Sequence, residues 1–167
     1  MKKIFPLLII FILAINLVKA QTDWVNYKIS AKLSVKVPEQ PIKIDSNSVY
    51  VKSKDSIIYI ISIVDLSKTD GLDSAKLAAQ SSTMDFANNF KDSMLSQMAG
   101  YTMGDVTIGK WKGYTSYTFD GGNTATKLKV YTYMVFMGSN VYSLMVMFPE
   151  NKSLKNKDDF FNSLALN

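Results

Sequence analysis

Carboxylates, serines, lysines and methionines are the side chains of this sequence that could carry chemistry. Its 167 residues include no histidine and no cysteine, and all 19 basic residues are lysines. The chain therefore has no His/Cys metal site, no thiol nucleophile, no disulfide and no Ser-His-Asp triad. Because it has no arginine, it also has no guanidinium that could hold a phosphate or carboxylate through two parallel hydrogen bonds.

Paired carboxylates could act as the acid and base of a glycosidase. The chain has only two glutamates, Glu39 and Glu150, and each stands beside a proline at the predicted end of a strand. Spacing singles out no aspartate pair, and no serine stands at a fixed distance from a lysine on a strained turn. We therefore expect a protein that is not an enzyme, with no catalytic residue, and a carboxylate-dependent hydrolase is the weakest alternative.

Two acidic segments, Asp120-Gly121-Gly122-Asn123 and Asp70-Gly71-Leu72-Asp73 with the preceding Asp65, could offer oxygen ligands to calcium. Neither has the spacing of a twelve-residue calcium loop or the bidentate glutamate that ends it. Turns and a helix cap explain both segments, so we expect no metal and no cofactor.

Methionine is in excess, with eight residues besides Met1. Met137, Met145 and Met147 lie near a predicted hairpin at 138–140, and thioethers are ligands for Cu(I). Methionine also fills irregular gaps between helices and sheets, and further methionines fall on the predicted helix. We interpret them as core packing.

Aromatic residues offer a better binding hypothesis. Trp111 stands between two lysines in a predicted glycine-bounded loop, 109–113, and Tyr114 follows it. Tyr131 and Tyr133 share a predicted strand face with Lys127 and Lys129. Tyrosine and tryptophan beside lysines are typical of protein interfaces, so we predict a partner-binding surface at Trp111, Tyr114, Tyr131 and Tyr133. The alternative is a partly solvated sheet face without a partner.

The first twenty residues predict a secretory signal peptide. Lys2 and Lys3 precede an apolar run at 4–18, which is shorter than the roughly 20 residues that span a bilayer. Small residues at Val18 and Ala20 fit a cleavage site before Gln21. We therefore expect one domain, 21–167, in the periplasm or outside the cell, without a lasting membrane span.

The charge balance disfavours nucleic acid as a partner. Three lysines and no acid fall in the predicted signal peptide, which leaves 16 lysines and 14 acidic residues. Binding to a polyanion needs clustered positive charge, and this remainder offers none.

Alternating hydrophobicity predicts strands at 25–29, 32–37, 49–53, 57–66, 105–108, 114–119, 126–137 and 141–148. The strand at 57–66 is apolar on both faces, so it should be covered on both sides. A single amphipathic helix at 73–98, bent at Ser81-Ser82-Thr83, is the predicted cover. Asp73 is its predicted N-cap and Gly100 its stop, and a short helix is predicted within 153–164. The fold class is thus α+β with a mainly antiparallel sheet.

The sequence resembles the Mog1/PsbP-like superfamily, including bacterial DcrB-like and related secreted proteins. The likeness rests on element order and on four segments: LSVKVP at 33–38, GYTSY at 113–117, YSLMVMFP at 142–149 and FFNSL at 160–164. It implies an α/β/α sandwich in which one long helix and a C-terminal helix flank the sheet. It also implies a non-catalytic accessory or partner-binding role. The family has no shared catalytic motif to carry over, and the metal sites of its plant members rely partly on histidines that this chain lacks.

Together, these features predict a monomeric secreted or periplasmic accessory module that binds a protein or another envelope component, through a sheet edge or the Trp111 loop. The main alternative is a carrier of small apolar molecules, with a cavity between the long helix and the sheet lined by methionine and tyrosine.

Overall fold

The computed structural model describes residues 24–167, so the predicted signal peptide lies outside the described residues. The strands are β1 Val25–Lys28, β2 Leu33–Val37, β3 Ile42–Lys43, β4 Ser48–Lys52, β5 Ile58–Asp65, β6 Thr102–Met103, β7 Thr107–Trp111, β8 Tyr114–Asn123, β9 Leu128–Met137, β10 Asn140–Pro149 and β11 Ala165–Leu166. The helices are α1 Leu66–Thr69, α2 Ser74–Gln80, α3 Met84–Leu95 and α4 Lys155–Asn162.

The strands form two antiparallel sheets. The central sheet has eight strands in the order β3-β4-β5-β10-β9-β8-β6, and β7 pairs with β8 beside β6. The small sheet has the order β1-β2-β11. The predicted α+β class with a mainly antiparallel sheet is confirmed, whereas the separation into two sheets was not predicted.

Each face of the central sheet contributes to its own core. One face, which we call the small-sheet face, packs its Tyr59, Val135 and Leu144 against the small sheet and α4. The other, which we call the helix face, packs Tyr117, Met134 and Phe136 against the helices between 66 and 95. The alternation of side chains along each strand accounts for this division.

The predicted helix at 73–98 is two helices, α2 and α3. Asp73 caps α2 as predicted, since its side chain accepts a hydrogen bond from the backbone N–H of Lys76 at 2.9 Å. The chain then breaks because Thr83 caps a new helix through the N–H of Phe86, at 3.3 Å. The break is held in place by the buried hydroxyl of Tyr117, which donates to the carbonyl of Ser81 at 2.6 Å.

Two predicted loops are strand instead. Residues 109–111 extend β7, because Lys112 and Gly113 form the whole turn, with φ of 47° and 89°, as a two-residue hairpin requires. Residues 120–123 extend β8, because Gly121 and Gly122 let the backbones of β6 and β9 approach closely. A Cβ at Gly121 would lie 2.0 Å from the carbonyl oxygen of Thr102.

Candidate binding surfaces

The four aromatic residues that the sequence predicts as a site all lie on the small-sheet face. Trp111 of β7 pairs directly with Tyr114 of β8. Tyr131 and Tyr133 of β9 pair with Asp120 and Thr118, which alternate in phase with Tyr114 along β8. The structure therefore brings the set to one side of the sheet, in two groups with different surroundings.

Tyr131 and Tyr133 are covered by the C-terminal helix. The ring of Tyr133 lies 5.8 Å from that of Phe161, and the ring of Tyr131 stacks on Phe148 at 5.4 Å. The Lys157 ammonium of α4 lies 4.8 Å from the centre of the Tyr131 ring. Burial raises the pKa of the Tyr133 hydroxyl above its ordinary value. These two tyrosines attach α4 to the sheet and are not a free surface.

The lysines predicted beside these tyrosines are only partly placed as expected. Lys129 belongs to β9, but Lys127 lies in the preceding turn with a φ of 54°. The predicted row of two lysines and two tyrosines on one strand face therefore lacks Lys127.

Trp111 and Tyr114 remain at the surface. Trp111 ends the edge strand β7 and is half-buried against the core beneath the small sheet, with the Lys112 ammonium 5.3 Å from its ring centre. Tyr114 is 36% exposed. The predicted loop position of Trp111 was wrong, since a strand holds it, but the pair is accessible to a partner.

A second surface, which the sequence analysis missed, lies on the helix face. Ile60 pairs with Met145, and next to them Ile58 pairs with Met147. All four side chains are partly exposed, and none belongs to either buried cluster. We call these four residues the open apolar face.

The open apolar face exists because the helices cover only the other half of the sheet. Phe86 and Phe90 of α3 contact Phe136 of β9, with ring centres 6.2 and 5.8 Å apart. The prediction that β5 is covered on both faces, with the long helix as a cover, was therefore wrong at Ile58 and Ile60. The sequence predicted that the methionines fill gaps between helix and sheet. Met145 and Met147 do not, because no helix within residues 24–167 covers them.

The same apolar row continues towards the edge of the sheet. Tyr50 of β4 pairs with Ile60, and Ile42 of β3, which is 55% exposed, pairs with Tyr50. Lys52 pairs with Ile58 and is the only charged residue among these positions. The surface is therefore apolar in the middle and positively charged at one end.

Two small clefts lie between the helices and the central sheet in the described part of the chain. One, of about 230 Å³, lies between Leu72 and Phe90, and the other, of about 190 Å³, lies between Leu77 and Thr115. Neither is lined by methionine, and both fall below the roughly 300–1,000 Å³ of typical small-molecule pockets. These clefts do not provide the methionine- and tyrosine-lined cavity that an apolar carrier would need.

Residues 24–167 contain neither a cluster of metal-binding side chains nor a membrane-spanning helix. No three acidic side chains of that region are close enough together to hold a metal ion. No helix of that region is long and apolar enough to cross a membrane.

The fold is similar to that of a solved protein. The solution structure of cyanobacterial PsbP (CyanoP) from Synechocystis sp. PCC 6803 superposes with a TM-score of 0.58, covering 89% of this chain and 95% of that one at 10% sequence identity. A crystal structure from Bacteroides thetaiotaomicron gives a TM-score of 0.41 at 10% identity, over 81% of this chain and 45% of that one. No protein-family model and no curated protein sequence matches this chain. The likeness to CyanoP shows a PsbP-like fold, and the narrower resemblance to DcrB-like proteins stays a prediction.

Proposed function

We propose that this protein is a non-catalytic, secreted or periplasmic binding module that docks a partner protein on its open apolar face. The observation that carries the proposal is the pairing of Ile58 and Ile60 with Met147 and Met145 on strands at the centre of the sheet. In an antiparallel sheet with one solvated face, the residues on that face are normally polar, and contiguous exposed apolar surface marks interaction sites in soluble proteins.

The chemistry of this face suits a protein partner. Covering apolar surface stabilises a complex by roughly 25 cal/mol per Å² removed from water. The flexible thioethers of Met145 and Met147 adapt their shape to the side chains that they meet. A partly exposed row of side chains on one face of a sheet suits a macromolecular partner better than an enclosed small ligand.

We expect the partner to present an amphipathic helix. On the same face of the sheet, α3 covers the neighbouring half through Phe86, Phe90 and Met94. A second helix, packed 8–10 Å from its neighbour as packed helices generally are, would extend this layer over the open half. Because Lys52 is the one charged residue among those that pair with the open apolar face, the partner helix should carry an acidic residue at that end.

The cellular location is part of the proposal. The lysines and apolar run of residues 1–20 support export, and the partner would then be a component of the cell envelope or of the medium. The PsbP-like fold supports an accessory role only by analogy, because one fold hosts many functions.

The experiment is site-specific photo-crosslinking in the protein's own cells. A photoreactive phenylalanine derivative would replace Met145 in one strain and Tyr114 in another, and Lys76, on the exposed side of α2, in a control strain. The proposal expects a protein adduct at Met145 whose crosslinked peptide belongs to an amphipathic helix, and no adduct of that mass at Lys76.

Other outcomes contradict the proposal in different ways. Adducts confined to Tyr114 would place docking on the Trp111–Tyr114 pair, and Trp111→Ala should then abolish them. An adduct at Met145 with a second copy of this chain would make the face a dimer interface. An adduct with lipid alone would exclude a protein partner there.

A further inference from the structure

A separate polar cleft of about 420 Å³ lies on the small-sheet face, where the β4–β5 hairpin approaches the end of β2 and the start of α4. Side chains from four distant parts of the chain line it. They include those of Trp24, Glu39, Lys54, Asp55, Tyr59 and Asn156.

The Tyr59 side chain is the unusual member of this group. It is completely buried, and its hydroxyl makes no hydrogen bond within the described residues. Its ring is fixed by edge-to-face contacts with Trp24 at 5.7 Å and Phe160 at 5.1 Å. A buried hydroxyl without a hydrogen-bond partner lowers the stability of the folded protein, and a ligand that binds beside it can supply the missing bond.

The hydroxyl of Tyr59 is a donor under all ordinary conditions. Burial, together with the negative charge of nearby Asp55, raises its pKa well above the usual range. It can therefore donate one hydrogen bond, or accept one, at the floor of the cleft.

Asp55 and Asn156 form a fixed polar wall beside Tyr59. The Asp55 carboxylate accepts one hydrogen bond from the Ser53 hydroxyl and another, at 3.4 Å, from the side-chain amide of Asn156. This second bond joins the hairpin to α4 across 101 positions of sequence. Each oxygen and nitrogen of this pair keeps further capacity for a ligand.

We propose that this cleft binds a neutral sugar ring. A pyranose has an apolar C–H face that packs on an aromatic ring such as Trp24, and hydroxyls that both donate and accept hydrogen bonds. The cleft offers acceptors in Glu39 and Asp55 and donors in Lys54, Asn156 and Tyr59. This mixture of donors and acceptors next to one aromatic side chain matches a polyol.

Charged ligands fit less well. Glu39 and Asp55 repel a carboxylate or a phosphate, and Lys54 repels a cation. A quaternary ammonium also needs more than one accessible aromatic face, and the ring of Tyr59 is fully enclosed. The site is independent of the open apolar face, because Tyr59 and that face point to opposite sides of the central sheet.

The test is a titration followed by two-dimensional amide NMR of ¹⁵N-labelled protein expressed from the full chain. The probes are the methyl glycosides of glucose, galactose, mannose and N-acetylglucosamine, each up to about 50 mM, since single-ring sugars bind weakly. The chain has two tryptophans, so the indole N–H of Trp24 reports on the cleft and that of Trp111 serves as an internal control.

The proposal expects saturable shifts at the Trp24 indole and the Asn156 amide for at least one glycoside, with Trp111 unchanged. Asn156→Ala should raise the dissociation constant about fivefold or more, because it removes a direct partner. Asn47→Ala, in a different cleft on the same sheet face, should leave it unchanged.

Three results would overturn the inference. The first is the absence of any saturable shift at the cleft with all four glycosides. The second is binding that Asn156→Ala and Asn47→Ala affect equally. The third is a set of shifts at the same residues produced by choline or inorganic phosphate and by none of the sugars, which would refute the ligand class.

Discussion

Met145 of β10 and Ile60 of β5 lie directly opposite each other on the side of the central sheet that α3 leaves uncovered. Their neighbours in sequence, Leu144 and Ile61, form the equivalent pair on the other side and are almost completely buried. One pair of adjacent strands thus presents a covered apolar face and an open one. This contrast provides a direct test of the proposed docking surface.

Substitutions at Met145 and Leu144 should have very different effects on stability. We expect Met145→Ser to lower the free energy of unfolding by less than about 1 kcal/mol, because a partly exposed side chain loses little on truncation. Leu144→Ala should cost about 2–5 kcal/mol, because Leu144 is 1% exposed and would leave a cavity. Urea unfolding followed by circular dichroism measures both. Similar losses in the two variants would mean that the Met145 side of the sheet is covered.

Removing the hydroxyls of Tyr117 and Tyr59 should affect the free energy of unfolding differently, because within the described residues only the Tyr117 hydroxyl is hydrogen-bonded. Tyr117→Phe should lower the free energy of unfolding by about 1–1.5 kcal/mol, because the Tyr117 hydroxyl donates to the buried carbonyl of Ser81. Tyr59→Phe should leave stability unchanged or raise it slightly, because the Tyr59 hydroxyl has no hydrogen-bond partner among residues 24–167. Thermal and urea unfolding of both variants would show the difference. If Tyr59→Phe destabilises as much as Tyr117→Phe, the Tyr59 hydroxyl is already satisfied, and the sugar proposal loses its strongest support.

The close approach at Gly121 should make this position intolerant of any side chain. Gly121→Ala places a Cβ against the carbonyl of Thr102, so we expect it to cost about 1–3 kcal/mol and to disrupt the pairing of β6 with β8. Gly104→Ala is the matched control, since its Cβ would lie 3.3 Å from the carbonyl of Asp120. Hydrogen exchange at Thr102 and Met103 reports on the pairing directly. Equal effects of the two substitutions would contradict the clash.

Asp65 caps the N-terminus of α1, and the stability that it contributes there should fall at acidic pH. The pKa of the Asp65 carboxyl is lowered from its ordinary value of 3.8, mainly by the hydrogen bond from the Ser67 hydroxyl. Hydrogen bonds from Ser139 and Lys68 lower it further. Because the folded-state pKa is lowered, ionised Asp65 stabilises the fold above the pKa of the unfolded chain. This contribution is lost as the pH falls through the lower, folded-state pKa.

A carbon-detected NMR titration of the Asp65 carboxyl measures this pKa. Ser67→Ala should raise it towards the ordinary value, and Lys68→Gln should raise it less, because the ammonium of Lys68 is largely exposed and lies 3.5 Å away. An unchanged pKa in the Ser67→Ala protein would show that the hydroxyl does not stabilise the carboxylate.

Hydrophobic periodicity predicted most of the strands and the C-terminal helix. The strands β2, β5, β9 and β10 appear within a few residues of their predicted ends, because alternation along a strand is a local property of the sequence. The short strands β3, β6 and β11 were missed, since two residues carry no detectable period. The extension of β7 to Trp111 was missed because glycine on both sides of it resembles a loop.

What the sequence determined by itself was the repertoire of chemistry and the class of the fold. The absence of histidine, cysteine and arginine excluded whole classes of site, and local patterns fixed which segments could be strands or helices. Tertiary structure alone decided which half of the central sheet the helices cover. It also brought Tyr59, Asp55 and Asn156 together and covered Tyr131 and Tyr133 with α4. The physical reason is that strand order and helix placement depend on packing between residues far apart in the chain, and no local period encodes these contacts.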